Sequence, residues 1–196
     1  MTLILASGSA TRRKILEDAG IAIVVEKPRV DEEAVKAGLR AEGLKPREQA
    51  DALAEVKALS VSRLRGGLVL GADQMLALGD EAFDKPADRI EARAQLVALR
   101  GKTHALLTAA VIAREGQVIW RHVDTPKLTM RAFSDAFLDD YLDRVGEGAL
   151  SSVGGYQLEG LGAQLFSRVD GDYFSVLGLP LMPLLSYLRD IGEIAS

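Results

Sequence analysis

The sequence contains no cysteine. That excludes a disulfide framework, a thiolate zinc site and a cysteine nucleophile at once. Two histidines, His104 and His122, are too few for a histidine-built metal centre, and each is flanked by strand-like residues that suit a structural role. No apolar run is long enough to span a bilayer, because the most apolar tail segment, Val176 to Leu188, is cut by Pro180 and Pro183. The start, Met1 to Ala6, lacks the basic flank of a secretory leader. A cytoplasmic protein with no membrane partner is therefore expected. A net charge of −4 gives no general attraction to nucleic acid, so no nucleic-acid partner is expected and any polyanion must be held by a local basic cluster.

What is present is an ordinary globular composition, 48% hydrophobic and 27% charged over 196 residues. This suits a single domain, 1–196, built on one core. The chain turns on Gly67 to Leu78, a run that reads as a buried strand apart from one carboxylate, Asp73. Burying an unpartnered carboxylate is expensive, so Asp73 needs a cation, backbone N–H groups or a metal. Two readings stand: a turn at Gly71-Ala72-Asp73 in which the aspartate caps nearby backbone, or a strand whose carboxylate serves a site.

In chain order, Leu3 to Ala6 reads as a strand, then Ser9 as the N-cap of a helix that Gly20 stops. Strand, small polar loop and helix start present N–H groups to an anion. Arg12, Arg13 and Lys14 in the first turn oppose the helix dipole unless an anion sits there. An ordinary capped helix with solvated arginines explains the same letters. Ile21 to Val25 is a second strand, and Asp31, Glu32 and Glu33 open a helix that ends at Gly43. A long helix from Pro46 to about Leu64 places Leu53, Val56, Leu59 or Ser60, and Leu64 on its apolar face, with Lys57 at the margin. Met75 to Phe83 forms a hairpin that delivers Lys85 ahead of Pro86, and a helix runs from Asp88 to Leu99. Thr103 to Arg114 and Gln117 to Met130 are paired strands, followed by a helix from Asp135 to Val145 capped by Ser134. Gly146 to Gly162 is irregular and glycine-rich, Ala163 to Val169 is a strand, and a last helix runs from Pro180 to about Ile191.

Several catalytic devices are missing: a P-loop, a Gly-x-Ser-x-Gly elbow, a His-Glu-x-x-His helix and a complete dinucleotide fingerprint. What remains is Glu32 and Asp73, Lys57 and Lys85, and an arginine and serine loop. Those are parts suited to phosphoryl chemistry, with cations and N–H groups for phosphates and acids for Mg²⁺ or for activating water.

Leu5-Ala6-Ser7-Gly8-Ser9-Ala10-Thr11-Arg12-Arg13, Val30-Asp31-Glu32, Leu53 to Ala58, Gly71-Ala72-Asp73-Gln74, Lys85-Pro86, Tyr156 to Gly160 and Gly171 to Leu181 resemble, in order, the successive motifs of the Maf family of nucleoside triphosphate pyrophosphatases. The resemblance covers nearly the whole chain. It implies an α/β fold with a mixed, twisted sheet, flanking helices and a central cleft between two lobes, related to the inosine triphosphatase architecture. It also implies hydrolysis of a nucleoside triphosphate at the α-phosphorus, giving the monophosphate and pyrophosphate, with a divalent cation, Mg²⁺ or Mn²⁺, as cofactor. By position, Asp73 is implied as the proton acceptor and a metal-site acid, Glu32 as a second metal-site acid, and Ser7, Ser9, Arg13, Lys57 and Lys85 as triphosphate contacts.

Thr11, Gln74 and Glu159 occupy the positions that read the base in the family. Gln74 and Glu159 match the subgroup that removes 7-methyl-GTP, whereas Thr11 stands where that subgroup tends to carry a tryptophan. Ala10 replaces the usual proline. A carboxylate at position 159 accepts hydrogen bonds from the N1–H and 2-amino edge of guanine, which uracil and thymine lack. The alternatives are a dTTP/UTP pyrophosphatase and a non-catalytic nucleotide-binding regulator of cell division. A homodimer is an open alternative for its assembly.

Overall fold

The computed structural model describes residues 2–195. The first part of the chain runs β1 (Leu3–Ala6), α1 (Ala10–Asp18), β2 (Ile23–Val25), α2 (Glu32–Ala41), α3 (Pro46–Ser62) and β3 (Val69–Leu78). There follow β4 (Glu81–Phe83), α4 (Arg89–Leu99), β5 (Thr103–Arg114), β6 (Gln117–Asp124), β7 (Lys127–Met130), α5 (Asp135–Val145), β8 (Phe166–Asp170), α6 (Tyr173–Val176) and α7 (Leu181–Asp190). The class is mixed α/β, as the sequence implies. The contacts divide the chain into two compact units, one comprising the segments up to Gln74, Thr108–Asp124 and from Asp172 onward, the other Met75–Leu107 and Thr125–Gly171. β3 and β5 each run from one unit into the other.

In the first unit β1 pairs in parallel with β2, Leu5 opposite Val25, and with β3, Leu5 opposite Leu70. β5 and β6 form the antiparallel hairpin expected around Glu115 and Gly116, with Arg114 opposite Gln117. Because strand side chains alternate, the sheet sorts its residues by parity. Leu3, Leu5, Leu68, Leu70, Ala72, Ala110 and Ile112 pack with Ile15 and Leu16 of α1 and Leu181, Leu184 and Leu188 of α7. Ala6 and Val69 pack on the other side with Val61 of α3. Position 73 shares the parity of Val69 and Gly71, so its side chain belongs to the α3 side.

α3 lies against β3 with almost nothing between them. A Cβ built on Gly71 would fall 2.2 Å from the Ala54 carbonyl oxygen and 2.6 Å from the Ala58 nitrogen, so only glycine fits. The buried face of α3 accordingly includes Ala50, Leu53, Ala54, Lys57, Ala58 and Val61. This corrects the apolar face expected from sequence, since Val56 and Leu59 are only partly buried and Leu64 lies beyond the helix, exposed. Lys57 is on the packed face and not at its margin.

In the second unit β4 turns back on β3, Leu78 opposite Glu81, and β7 pairs antiparallel with both β5 and β8. The run Gln117 to Met130 is two strands, not one. Pro126 has no N–H to continue the ladder, and its carbonyl takes the Leu106 N–H instead. The glycine-rich stretch folds as short 3₁₀ turns, and one of these, Leu161–Leu165, occupies the start of the strand expected from Ala163. α6 is an element that the sequence pattern did not suggest. No helix among the described residues is long and apolar enough to cross a membrane.

Candidate active site

Three helices bring charge to the middle of β3, α1 with Arg12, α2 with Glu32 and α3 with Lys57. The strand continues through Gly71, Ala72 and Asp73, so the turn reading falls and the carboxylate is 6% exposed. Its partner is Lys57, 5% exposed, whose Nζ lies 2.7 Å from Asp73 Oδ1. The same ammonium is 2.8 Å from Oε2 of Glu32, the first residue of α2. Asp31 caps that helix through Ala34 N–H, which leaves Glu32 available to the site. Two acids therefore converge on one lysine. Such a buried pair costs desolvation that its attraction only roughly offsets, and apolar residues of similar volume often fold as well or better. Stability alone is a weak reason for it.

The Ser7–Ser9 turn follows β1. Ser7 Oγ accepts from the Ser9 N–H at 3.2 Å and from Arg12 Nη1 at 3.2 Å, and Ser9 Oγ caps α1 through the Arg12 N–H at 3.3 Å. The N–H groups of Ala10 and Thr11, the first two of the helix, keep no partner among the described residues, which leaves them directed at whatever sits before the turn. Arg12 also donates to the carbonyls of Ala72, 3.0 Å, and Gly178, 2.8 Å. Burial pulls its guanidinium below the ordinary value, while the negative charges of Asp73 and Glu32 pull the other way. Arg13, the arginine expected at the phosphates, points to the exposed side with Nε 2.8 Å from Glu17. Arg12 is thus a site residue that the sequence reading did not single out. Helix spacing holds the signal, because Arg12 precedes the buried Ile15 and Leu16 by three and four residues and so shares their face.

Residues 2–191 match the family described as Maf-like protein. The chain belongs to the Maf family. It is 56% identical over 191 residues to a protein of Paramagnetospirillum magneticum named nucleoside triphosphate pyrophosphatase, covering 97% of this chain and 98% of that one. It is 51% identical over 193 residues to a 7-methyl-GTP pyrophosphatase of Mesorhizobium japonicum, covering 98% and 97%. A solved nucleoside-triphosphatase, a dITP/XTP pyrophosphatase from Mycobacterium abscessus, overlaps with a TM-score of 0.40 at 17% identity over 68% of this chain and 76% of that one; the family assignment does not rest on it.

The remaining residues singled out from sequence divide between the two units of this Maf-family chain. Thr11 is half-buried in the first turn of α1, and Gln74 follows Asp73 on the opposite face of β3. Gln74 Nε2 lies 2.9 Å from Thr108 Oγ1 and 3.0 and 3.1 Å from the carbonyls of Ser175 and Val176. Lys85, exposed after β4, and Glu159, exposed in a turn, belong to the second unit. Ser7, Ser9, Arg12, Glu32, Lys57, Asp73 and Gln74 come together in the first. Among the described residues no group of three or more His, Cys, Asp or Glu side chains is arranged to hold a metal ion. Glu32 and Asp73, both hard oxygen donors aimed at one cation, nevertheless suit a Mg²⁺-type ion, which commonly takes one or two carboxylates and completes its shell from water and substrate phosphates.

Proposed function

We propose that this protein is a metal-dependent nucleoside triphosphate pyrophosphatase acting on a modified nucleotide, 7-methyl-GTP, and releasing the monophosphate and pyrophosphate. The observation that carries this reading is the buried Lys57 ammonium shared by Asp73 and Glu32 beside Arg12 and the Ser7–Ser9 turn. A water oxygen adds to the α-phosphorus, the bond to the bridging oxygen breaks and pyrophosphate leaves. Asp73 accepts the proton from that water. Lys57 orients the Asp73 carboxylate and neutralises phosphate charge together with Arg12, Ser7 and Ser9. Arg13 is an outer cation that must leave Glu17 to reach the substrate. Glu32 and Asp73 would hold the divalent cation, Mg²⁺ or Mn²⁺, which when bound would join these protein cations in offsetting the triphosphate's roughly four negative charges. Lys85 is assigned to the phosphates, and Thr11 and Glu159 to the base, on the family resemblance.

Two relatives' names support a pyrophosphatase, and one supports 7-methyl-GTP. The deciding experiment is pyrophosphate release from 7-methyl-GTP, UTP and dTTP with Mg²⁺. Fastest turnover of 7-methyl-GTP is expected. Fastest turnover of UTP or dTTP would move the chain to the pyrimidine subgroup, and calorimetric binding without release would make it a non-catalytic nucleotide-binding protein.

A further inference from the structure

The family resemblance assigns Gln74 to the base of the substrate, but a carboxamide has two chemically opposite ends. Which end it offers is settled by its neighbours. Thr108 is fully buried, and its hydroxyl gives its only proton to the Ser175 carbonyl at 2.8 Å. Its oxygen can therefore only accept from Gln74. The other two neighbours of that end, the carbonyls of Ser175 and Val176, carry no proton either. Three acceptors surround one end of the amide. A flipped amide would set its oxygen against all three, so the NH₂ group must be there.

The acceptors are themselves held. Ser175 is fully buried; its N–H goes to Asp172 Oδ1 at 2.8 Å, and its hydroxyl lies 2.6 Å from Asp124 Oδ2 and 3.1 Å from Asp172 Oδ1. Asp124 Oδ1 in turn meets His122 Nε2 at 2.9 Å. Gln74 Oε1 has no hydrogen-bond partner among the described residues. It lies beside Arg12 at Gly178, where an added Cβ would sit 3.8 Å from Oε1 and 3.6 Å from Arg12 Nε. Gln74 is fixed, and only its oxygen is on offer next to the phosphate-binding arginine.

We propose that Thr108 is a positioning residue for substrate recognition: it locks the Gln74 carboxamide so that only the oxygen faces the nucleotide, and this position selects a base edge bearing an N–H donor. The inference rests on the pyrophosphatase reading for its substrate and on the hydrogen-bond chemistry above for its polarity. A base presenting a ring nitrogen or carbonyl there meets oxygen against lone pair and is rejected.

Two measurements test it on the full chain. The first is hydrogen exchange of the Gln74 side-chain NH₂ by ¹⁵N NMR, its signal assigned by its loss in Gln74→Leu. Exchange at least about tenfold slower than in a free glutamine side chain is expected. The second is kinetics on 7-methyl-GTP for Thr108→Val and Thr108→Ser, with circular dichroism to confirm folding. Thr108→Val is expected to raise KM about tenfold with kcat within about twofold, and Thr108→Ser to restore KM. Freely exchanging wild-type NH₂ protons, an unchanged KM in folded Thr108→Val, or no recovery in Thr108→Ser would each overturn the proposal. Should Thr108→Val not fold, the wild-type exchange rate decides. Wild-type protein that releases no pyrophosphate from any nucleotide sinks the enzymatic reading instead, and the exchange measurement still reports on the lock.

Discussion

Each unit buries a polar pair, and the two pairs could hardly be more different. In the first, Lys57 and Asp73 are charged groups held 2.7 Å apart, with Glu32 a third charge on the same ammonium. In the second, His104 Nε2 and the Tyr156 hydroxyl lie 2.7 Å apart with Phe166 packed on both rings. Burial pulls the His104 pKa down to about 4, and the Tyr156 hydroxyl is pushed up, mainly by burial and next by Tyr141. That pair stays neutral, and His104 Nδ1 has no hydrogen-bond partner among the described residues. A neutral pair inside a fold is an economical way to satisfy a tyrosine hydroxyl. A charged pair is not, and the contrast supports the catalytic role proposed above for the ionic cluster.

Removing one charge breaks the comparison most sharply. Asp73→Asn preserves shape but cannot take the proton from water, and pyrophosphate release under saturating nucleotide should fall about 10²–10⁴-fold. Turnover within twofold of wild type would remove Asp73 from the mechanism. Removing the shared cation acts on stability as well: Lys57→Met leaves the Asp73 carboxylate buried without its ammonium, and urea titration should show a loss of about 3–5 kcal/mol. A loss below about 1 kcal/mol would mean that the cluster is hydrated and not buried.

The neutral pair sharpens the comparison through pH. His104 has a lowered folded-state pKa, so the unfolded chain takes up the proton first as pH falls. Its contribution is full above about pH 6.5, declines as the pH drops towards 4, and has been lost below that. The shift corresponds to at most about 3 kcal/mol. Urea midpoints from pH 7 to pH 4 for wild type and His104→Phe should converge as the pH falls, with the variant showing the flatter dependence. Parallel curves would show that His104 is protonated inside the fold.

Much of the first unit was legible because local chemistry and tertiary structure agree there. Ser9 and Gly20 bound α1, Asp31 and Gly43 bound α2, and the Glu115–Gly116 turn joins β5 to β6, each as the residue types require. The phase of α3 was misread for a specific reason. Its packed stripe depends on Ala50, Ala54 and Ala58, which matter because they are small and let the helix touch Gly71, whereas Val56 and Leu59 drew attention through hydropathy. Arg12 and Arg13 were indistinguishable by type and separated only by helix phase. α6 is a single turn whose stability comes from the Asp172 cap and from contacts distant in sequence, so no window of letters around it carries the signal.

The missing side chain at position 71 also governs reach. A lysine stem has one length, and its ammonium arrives between two carboxylates only because the helix that carries it has settled onto bare strand backbone. A methyl group there would act as a spacer and hold the charge back from the acids it joins. Catalytic alignment would then be lost to a change in an atom that takes no part in the reaction.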